Sequence, residues 1–354
     1  MKDGFIRAAA LTPEIRVADT AYNAEQIEKG IDEALGNGAR ILVFPELCIT
    51  GYTCQDLFLQ ETLLSGAKEA LKQIAAHTEG LDALVFVGLP LEKDGKLYNV
   101  AAALQDGRVL AFIPKTALPG YAEFYETRHF MPAPDQVDFL TFEGDTIPFG
   151  REILFACDGV EGLLVGCEIC EDLWAAQTPS TAHCLAGATV IVNLSASNET
   201  VGKDAYRRQL VEATSARLVT GYVYASAGDG ESTQDLVFGG HNLIAENGVL
   251  LSEAKRFENQ AIYADLDIHR LRHERRRMNT FPAPEKEGYL IIPVHMKKEE
   301  LSLQRFFPTQ PFVPSDEGMK NRRCEEILSI QSHGLKKRLE HTKSRCAVIG
   351  ISGG

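Results

Sequence analysis

The chain has 354 residues, 49 acidic and 36 basic, for a formal charge of -13, with 45% hydrophobic and 24% charged side chains. That composition is ordinary for a globular protein, and at roughly 100–200 residues per domain it holds two domains, or one large α/β domain with an appendage. It excludes a membrane helix, since no apolar run nears the ~18–20 residues required, and it excludes a whole-chain nucleic-acid binder, which would carry net positive charge. The N-terminal Met1-Lys-Asp-Gly-Phe5 lacks a secretory h-region, so the eight cysteines are expected to be free thiols in a reducing cytoplasm.

In chain order, residues 5–11 read as a first strand closed by Pro13. Asn23-Ala-Glu-Gln26 has the form of a capping box opening a helix, with Ile27, Ile31, Ala34 and Leu35 on one face and Gly36 and Gly38 at the exit. Residues 40–44 form a short continuous apolar strand of the doubly buried kind. Pro45-Glu46 then sets a carboxylate just past the strand's C-terminal end, where open α/β sheets place their ligands. A helix over 63–77 and a strand over 83–87 follow. Strands 99–105 and 108–113 flank Asp106-Gly107, a hairpin signal, and deliver Pro114-Lys115. Residues 162–166 lead into Cys167-Glu-Ile-Cys170-Glu-Asp-Leu-Trp174. The stretch 181–187 ends a helix and 189–194 is a buried strand. A helix over 204–220 carries Leu210, Val211, Thr214 and Leu218 on one face, with Gly221 as its C-cap. Strands 222–226, 236–244 and 261–265 complete the pattern, the last two separated by a turn at Gly248.

Residues 38–47 weakly echo 187–196, each following a helix, which points to two similar halves. Beyond Asp267 the character changes. Residues 270–277 are strongly basic, read as a solvated face and inter-subunit ion pairs. Residues 282–314 are proline-rich, and 319–341 read as a helix. A strand then starts at Cys346 and runs into Ser352-Gly353-Gly354. The expected organisation is a domain over 1–268, a connector over 269–318 and, over 319–354, the start of a further domain in a longer protein.

Glu46, Lys115 and Cys170 each close or follow an apolar strand. Singly, each has a bland alternative: a surface carboxylate, a solvated lysine, a buried thiol. Together they supply a base, a cation and a nucleophile, the set that covalent acyl transfer requires. Cys167-x-x-Cys170 as half of a zinc site would need a second Cys/His pair at similar spacing, and the sequence offers none.

Phe44-Pro-Glu-Leu47 with Thr50-Gly-Tyr52, Pro114-Lys-Thr116, and Glu168-Ile-Cys-Glu-Asp-Leu-Trp174 resemble, in order, the Glu, Lys and Cys boxes of the nitrilase (carbon–nitrogen hydrolase) superfamily. Leu118-Pro-Gly-Tyr-Ala-Glu-Phe-Tyr-Glu126, Asn193-Leu-Ser-Ala-Ser197 and the terminal Ile349-Gly-Ile-Ser-Gly-Gly354 resemble one branch, the glutamine-dependent NAD synthetases. The resemblance implies an α/β fold, a nitrilase-like α-β-β-α sandwich with internal pseudo-twofold symmetry. It implies Cys170 as nucleophile, Glu46 as general base, and Lys115 with the Glu171 N–H as oxyanion donors. Tyr52, Tyr121, Phe124, Glu171 and Ser197 would surround glutamine, and Ser352, Gly353 and Gly354 would begin a nucleotide loop. The glutaminase step would need no cofactor or metal. ATP, magnesium and deamido-NAD would belong to the full-length synthetase, a homo-oligomer without nucleic-acid or membrane partners. Cys167 is expected to be a packed thiol. Arg128, His129 and His183 are expected to be structural, and Glu123 either structural or a group that orients Lys115. The alternative is a free-standing amidase of the same superfamily acting on another small amide.

Overall fold

In the computed structural model, which describes residues 3–314 and 316–350, two mixed sheets carry the first of two compact units, Met1–Gln304. Sheet one contains β1 (Phe5–Leu11), β2 (Ile41–Val43), β3 (Leu84–Lys93), β4 (Lys96–Gln105), β5 (Arg108–Pro114), β6 (Asp138–Phe142) and β7 (Asp145–Phe149). Sheet two contains β8 (Ile153–Cys157), β9 (Leu163–Ile169), β10 (Val190–Ser195), β11 (Gly221–Ser226), β12 (Leu243–Glu246) and β13 (Val249–Glu253). The chain then returns β14 (Ala261–Asp267) to sheet one beside β1, and adds β15 (Leu290–Val294) to the edge of sheet two beside β8.

Strand alternation explains the layering. In β1, Ile6, Ala8 and Ala10 join the core between the sheets, with Val43, Phe86, Phe155, Val165, Val192 and Val223. Ala9 and Leu11 face the other way, onto α1 (Thr20–Gly36) and α2 (Glu61–His77), packing with Ile27, Ile31, Leu71 and Ile74. Each such fully buried isoleucine or leucine is worth about 2–3 kcal/mol. Sheet two has its own outer core against α5 (Lys203–Leu218). The result is the expected nitrilase-like α-β-β-α sandwich. Among the described residues no helix is long and apolar enough to cross a membrane.

Several local expectations differ. Helix α1 starts earlier, with Asp19 as the cap accepting from the Tyr22 N–H. Asn23 is fully buried and instead ties Arg16 to the Ile49 carbonyl. The Asp106-Gly107 turn forms as expected, with φ of 48° and 76°. At the end of α5 the left-handed residue is Val219, φ 48°, while Gly221 already pairs in β11. The expected strand 236–244 shrinks to β12, because Gly239 lies against Glu199 and Gly240 adopts φ 61°, which breaks the ladder. Strand β13 follows the Gly248 turn. Within 269–318, taken from sequence as connector, helix α6 (Ile268–Arg277) and β15 are built onto the first unit.

The second unit, Arg305–Gly354, contains α7 (Glu317–Thr342), capped by Asp316 and with no buried residue. Residues 346–350 form no strand; an isolated run has no neighbour to satisfy its backbone groups. Ser352, Gly353 and Gly354, expected from the resemblance to begin a nucleotide loop, lie outside the described residues.

Candidate active site

Three strand ends build the site. Glu46 follows β2 in a turn pressed against β3, and Gly88 makes that approach possible: a Cβ there would lie 2.3 Å from the Leu47 nitrogen. Leu47 turns the chain with φ 52°. The two echoing segments meet here, since the Glu46 N–H donates to the Ser195 carbonyl (3.3 Å) and the Ala196 N–H donates to Glu46 Oε2 (2.9 Å). Lys115 follows β5 and stays in the ladder through its N–H to the Asn99 carbonyl (2.9 Å). Cys170 follows β9 and opens a 3-10 turn, Cys170–Leu173, with φ 42°. A non-glycine residue in that left-handed region stores on the order of 1–3 kcal/mol of strain.

The side chains converge. Lys115 Nζ donates to Glu46 Oε1 (2.6 Å) and Glu126 Oε1 (2.7 Å), and all three groups are buried. Asn99 Nδ2 donates to Glu46 Oε1 (2.7 Å), and the Tyr52 hydroxyl donates to Glu126 Oε1 (2.8 Å). Burial works to lower the Lys115 pKa, but the two carboxylates outweigh it and hold the ammonium protonated. Burial, then the Glu46 charge, drives the Glu126 carboxyl up to about 7 against the opposing pull of Lys115. Burial foremost, with the Glu46 charge, pushes the Cys170 thiol well above the ordinary thiol range, with Lys115 opposing. Cys170 therefore rests as a thiol, and to act as a nucleophile it would need a base to take its proton.

Asp172 locks the elbow to the lysine loop, accepting from the N–H groups of Ile169 (2.9 Å), Thr116 (3.1 Å) and Ala117 (2.7 Å). In front of Cys170 lies a cavity of about 450 Å³ lined by Tyr121, Phe124, Glu126, Glu171, Trp174, Ser197 and Lys203, among others. The Tyr121 hydroxyl donates to Glu171 Oε1 (2.7 Å). Lys203 Nζ sits over the rings of Phe124 (5.6 Å) and Trp174 (5.3 Å) and donates to Asn198 Oδ1. Fully buried Arg207 supports Ser197 from behind, Nη2 to Oγ at 3.1 Å.

Most residues singled out from sequence thus gather at one place: Glu46, Lys115, Cys170, Tyr121, Phe124, Glu171 and Ser197. Tyr52 lies behind Glu126 rather than on the cavity wall. Glu123 does not orient Lys115; it accepts from Asn198 Nδ2 (2.6 Å), and Glu126 takes the lysine. Cys167 is buried in the inter-sheet core. Arg128 and His129 bind Asp56, and His183 bonds the Cys167 carbonyl and Tyr289. Among the described residues no group of three or more His, Cys, Asp and Glu is placed to hold a metal ion. Sequence reading missed Asn99, Glu126 and Lys203. Glu126 opens the short helix α3 (Glu126–His129), and nothing in a run with carboxylates at 123 and 126 says which turns inward.

The sequence profile of the carbon–nitrogen hydrolase family matches residues 7–276. The chain belongs to the carbon–nitrogen hydrolase family. Among carbon–nitrogen hydrolase relatives, the glutamine-dependent NAD(+) synthetase of Mycobacterium tuberculosis (strain H37Rv) is 38% identical over 361 residues, covering 99% of this chain and 53% of that protein. The chain therefore spans about half the length of the curated relatives it matches. The crystal structure of a glutamine-dependent NAD(+) synthetase from Cytophaga hutchinsonii superposes with a TM-score of 0.66 at 35% identity, covering 74% of this chain and 43% of that one. A nitrilase-superfamily amidase from Nesterenkonia shares the fold at a TM-score of 0.60 and 21% identity, covering 78% of this chain and 98% of its own.

Proposed function

We propose that this carbon–nitrogen hydrolase domain is a glutaminase, the ammonia-releasing part of a glutamine-dependent NAD(+) synthetase. The observation that carries the reading is the cavity in front of Cys170, which places an anion, Glu171, and a cation, Lys203, around the space before the nucleophile. A free amino acid with a side-chain amide presents the complementary pair. Its α-amino group faces Glu171 and Ser197, its α-carboxylate faces Lys203, and its methylenes lie along Phe124 and Trp174.

In this reading Glu46 takes the Cys170 thiol proton as sulfur attacks the amide carbon. The carbonyl oxygen becomes an oxyanion, held by Lys115 and the Glu171 N–H. Two of the three Lys115 donors are already committed to Glu46 and Glu126, which aims the third. Each such preorganised donor is worth about 3–4 kcal/mol. Glu46 passes its proton to the leaving ammonia, then activates the water that hydrolyses the γ-glutamyl thioester, and no cofactor enters these steps. In a full-length protein of this kind the ammonia would go to ATP- and magnesium-dependent amidation of deamido-NAD, a step assigned to no described residue here. The proposed organisation keeps 1–268 as the glutaminase domain, and the free state of all eight cysteines fits a cytoplasmic setting.

Labelling with a diazo-ketone glutamine analogue tests this. Mass spectrometry is expected to find the adduct on Cys170. Cys170→Ala should abolish ammonia release, whereas Cys167→Ala should keep most of it. Faster turnover of unrelated small amides than of glutamine would support a free-standing amidase instead.

A further inference from the structure

The catalytic trio leaves unexplained how Cys170 keeps a left-handed backbone at the end of a buried strand. Its N–H, which in an elbow of this kind could point at the substrate oxygen, is committed elsewhere. It donates to Asn193 Oδ1 at 3.1 Å, an acceptor on the neighbouring strand β10. Asn193 is fully buried, and its oxygen also accepts from the Ser195 hydroxyl (2.7 Å). Its Nδ2 donates to the Tyr222 hydroxyl on β11 (3.0 Å), and Tyr222 in turn donates to Glu168 Oε1. Glu168 Oε2 accepts from the Ser180 N–H at the start of α4 (Pro179–Leu185), at 2.8 Å. Glu168, Asn193 and Tyr222 are each at most 1% exposed. None of them lines the cavity in front of the thiol.

We propose that Asn193 is a positioning residue for the Cys170 nucleophile, its carboxamide held in one orientation by Tyr222 and Glu168. The chain of contacts has a direction. Tyr222 gives its proton to Glu168, so its oxygen receives the Asn193 NH₂, and the carboxamide must turn its oxygen toward Cys170. A buried N–H left without that acceptor would pull the elbow toward another partner, because unpaired buried donors are costly. Relaxation of φ from the left-handed region swings Sγ away from Glu46 and the reacting carbon. The same bond takes the Cys170 N–H out of the oxyanion site and leaves that role to Lys115 and the Glu171 N–H. The inference deepens the glutaminase reading and rests on Cys170 being its nucleophile.

The test uses the intact chain with Asn193→Ala and Tyr222→Phe, and two Cys170 reagents, the diazo-ketone glutamine analogue and iodoacetamide. Stoichiometry of labelling, read by mass spectrometry, reports the folded fraction. The rate constant at saturating analogue reports placement of the thiol. Asn193→Ala should label fully but about 100-fold more slowly, with an unchanged half-saturating concentration, and lose kcat for glutamine rather than raise KM. Tyr222→Phe, which leaves the Cys170 contact in place but frees the carboxamide, should slow labelling on the order of 10-fold. Unchanged rates per labelled site, or a loss confined to half-saturation, would overturn the proposal. If Asn193→Ala does not fold, the Tyr222→Phe rate decides alone. Should the glutamine analogue fail to label the unsubstituted protein, the glutaminase reading fails, and the iodoacetamide rates still decide the role of Asn193.

Discussion

Replacing Glu126 with glutamine changes one atom in the buried trio and gives a signed, measurable consequence. The amide keeps an oxygen for Lys115 and Tyr52, while its nitrogen replaces the Oε2 that accepts from Asn99 Nδ2 at 3.5 Å, a loss that does not depend on pH. What disappears is a titration. The Glu126 carboxyl is held up to about 7, against an ordinary 4.5, by burial first and then by the Glu46 charge. Between those values the folded chain retains a proton that the unfolded chain has released. A group raised in this way contributes stability that is complete below pH 4.5 and lost as pH rises through about 7. The slope is about 1.4 kcal/mol per pH unit, so about 3 kcal/mol is lost across the window. Glu126→Gln has no such proton to hold. Urea unfolding of both proteins at pH 4.5, 6 and 7.5, followed by fluorescence of the single tryptophan, Trp174, reads this directly. The variant should gain about 3 kcal/mol relative to the unsubstituted chain from the lowest pH to the highest. Parallel stability profiles would refute the raised Glu126 carboxyl of the Glu46–Lys115–Glu126 cluster.

Other substitutions probe different parts of the molecule. Lys203→Met removes the cation proposed to meet the α-carboxylate, and should raise KM for glutamine about 10–100-fold with kcat nearly unchanged, read in an ammonia-release assay. Arg7→Met strips the buried Asp265 of its bidentate partner, Nε–Oδ1 2.7 Å and Nη2–Oδ2 3.1 Å. It also frees the Ser302 carbonyl that Arg7 holds at 2.7 Å. The cost should be about 3–5 kcal/mol in a urea titration at neutral pH, without a shift in KM.

The sandwich was legible because its strands are apolar on both faces and short, and its helices carry one apolar stripe. Residues 40–44 and 189–194 could hardly be anything but buried strands, and Asp106-Gly107 could hardly be other than a tight turn. Boundaries were less legible where a tertiary bond overrides a local signal. Asn23 has the chemistry of a cap, yet the Arg16 loop and the Ile49 carbonyl claim it. Residues 290–294 sit in proline-rich surroundings, and become a strand only because the β8 edge offers a ladder.

The sequence by itself determined which residue types close the buried strands, and thereby the chemistry: a carboxylate at 46, an ammonium at 115, a thiol at 170. Those positions depend on strand ends, which local periodicity encodes. Only the tertiary structure decided how the groups are partnered. Glu126 rather than Glu123 shares Lys115, Tyr52 stands behind the site, Lys203 enters the cavity from another helix, and Asn193 holds the Cys170 N–H. Such contacts join residues from 11 to 79 positions apart, through side chains of ordinary type. Burial then sets their protonation, and burial is a property of the packed sheets that no local window of sequence contains.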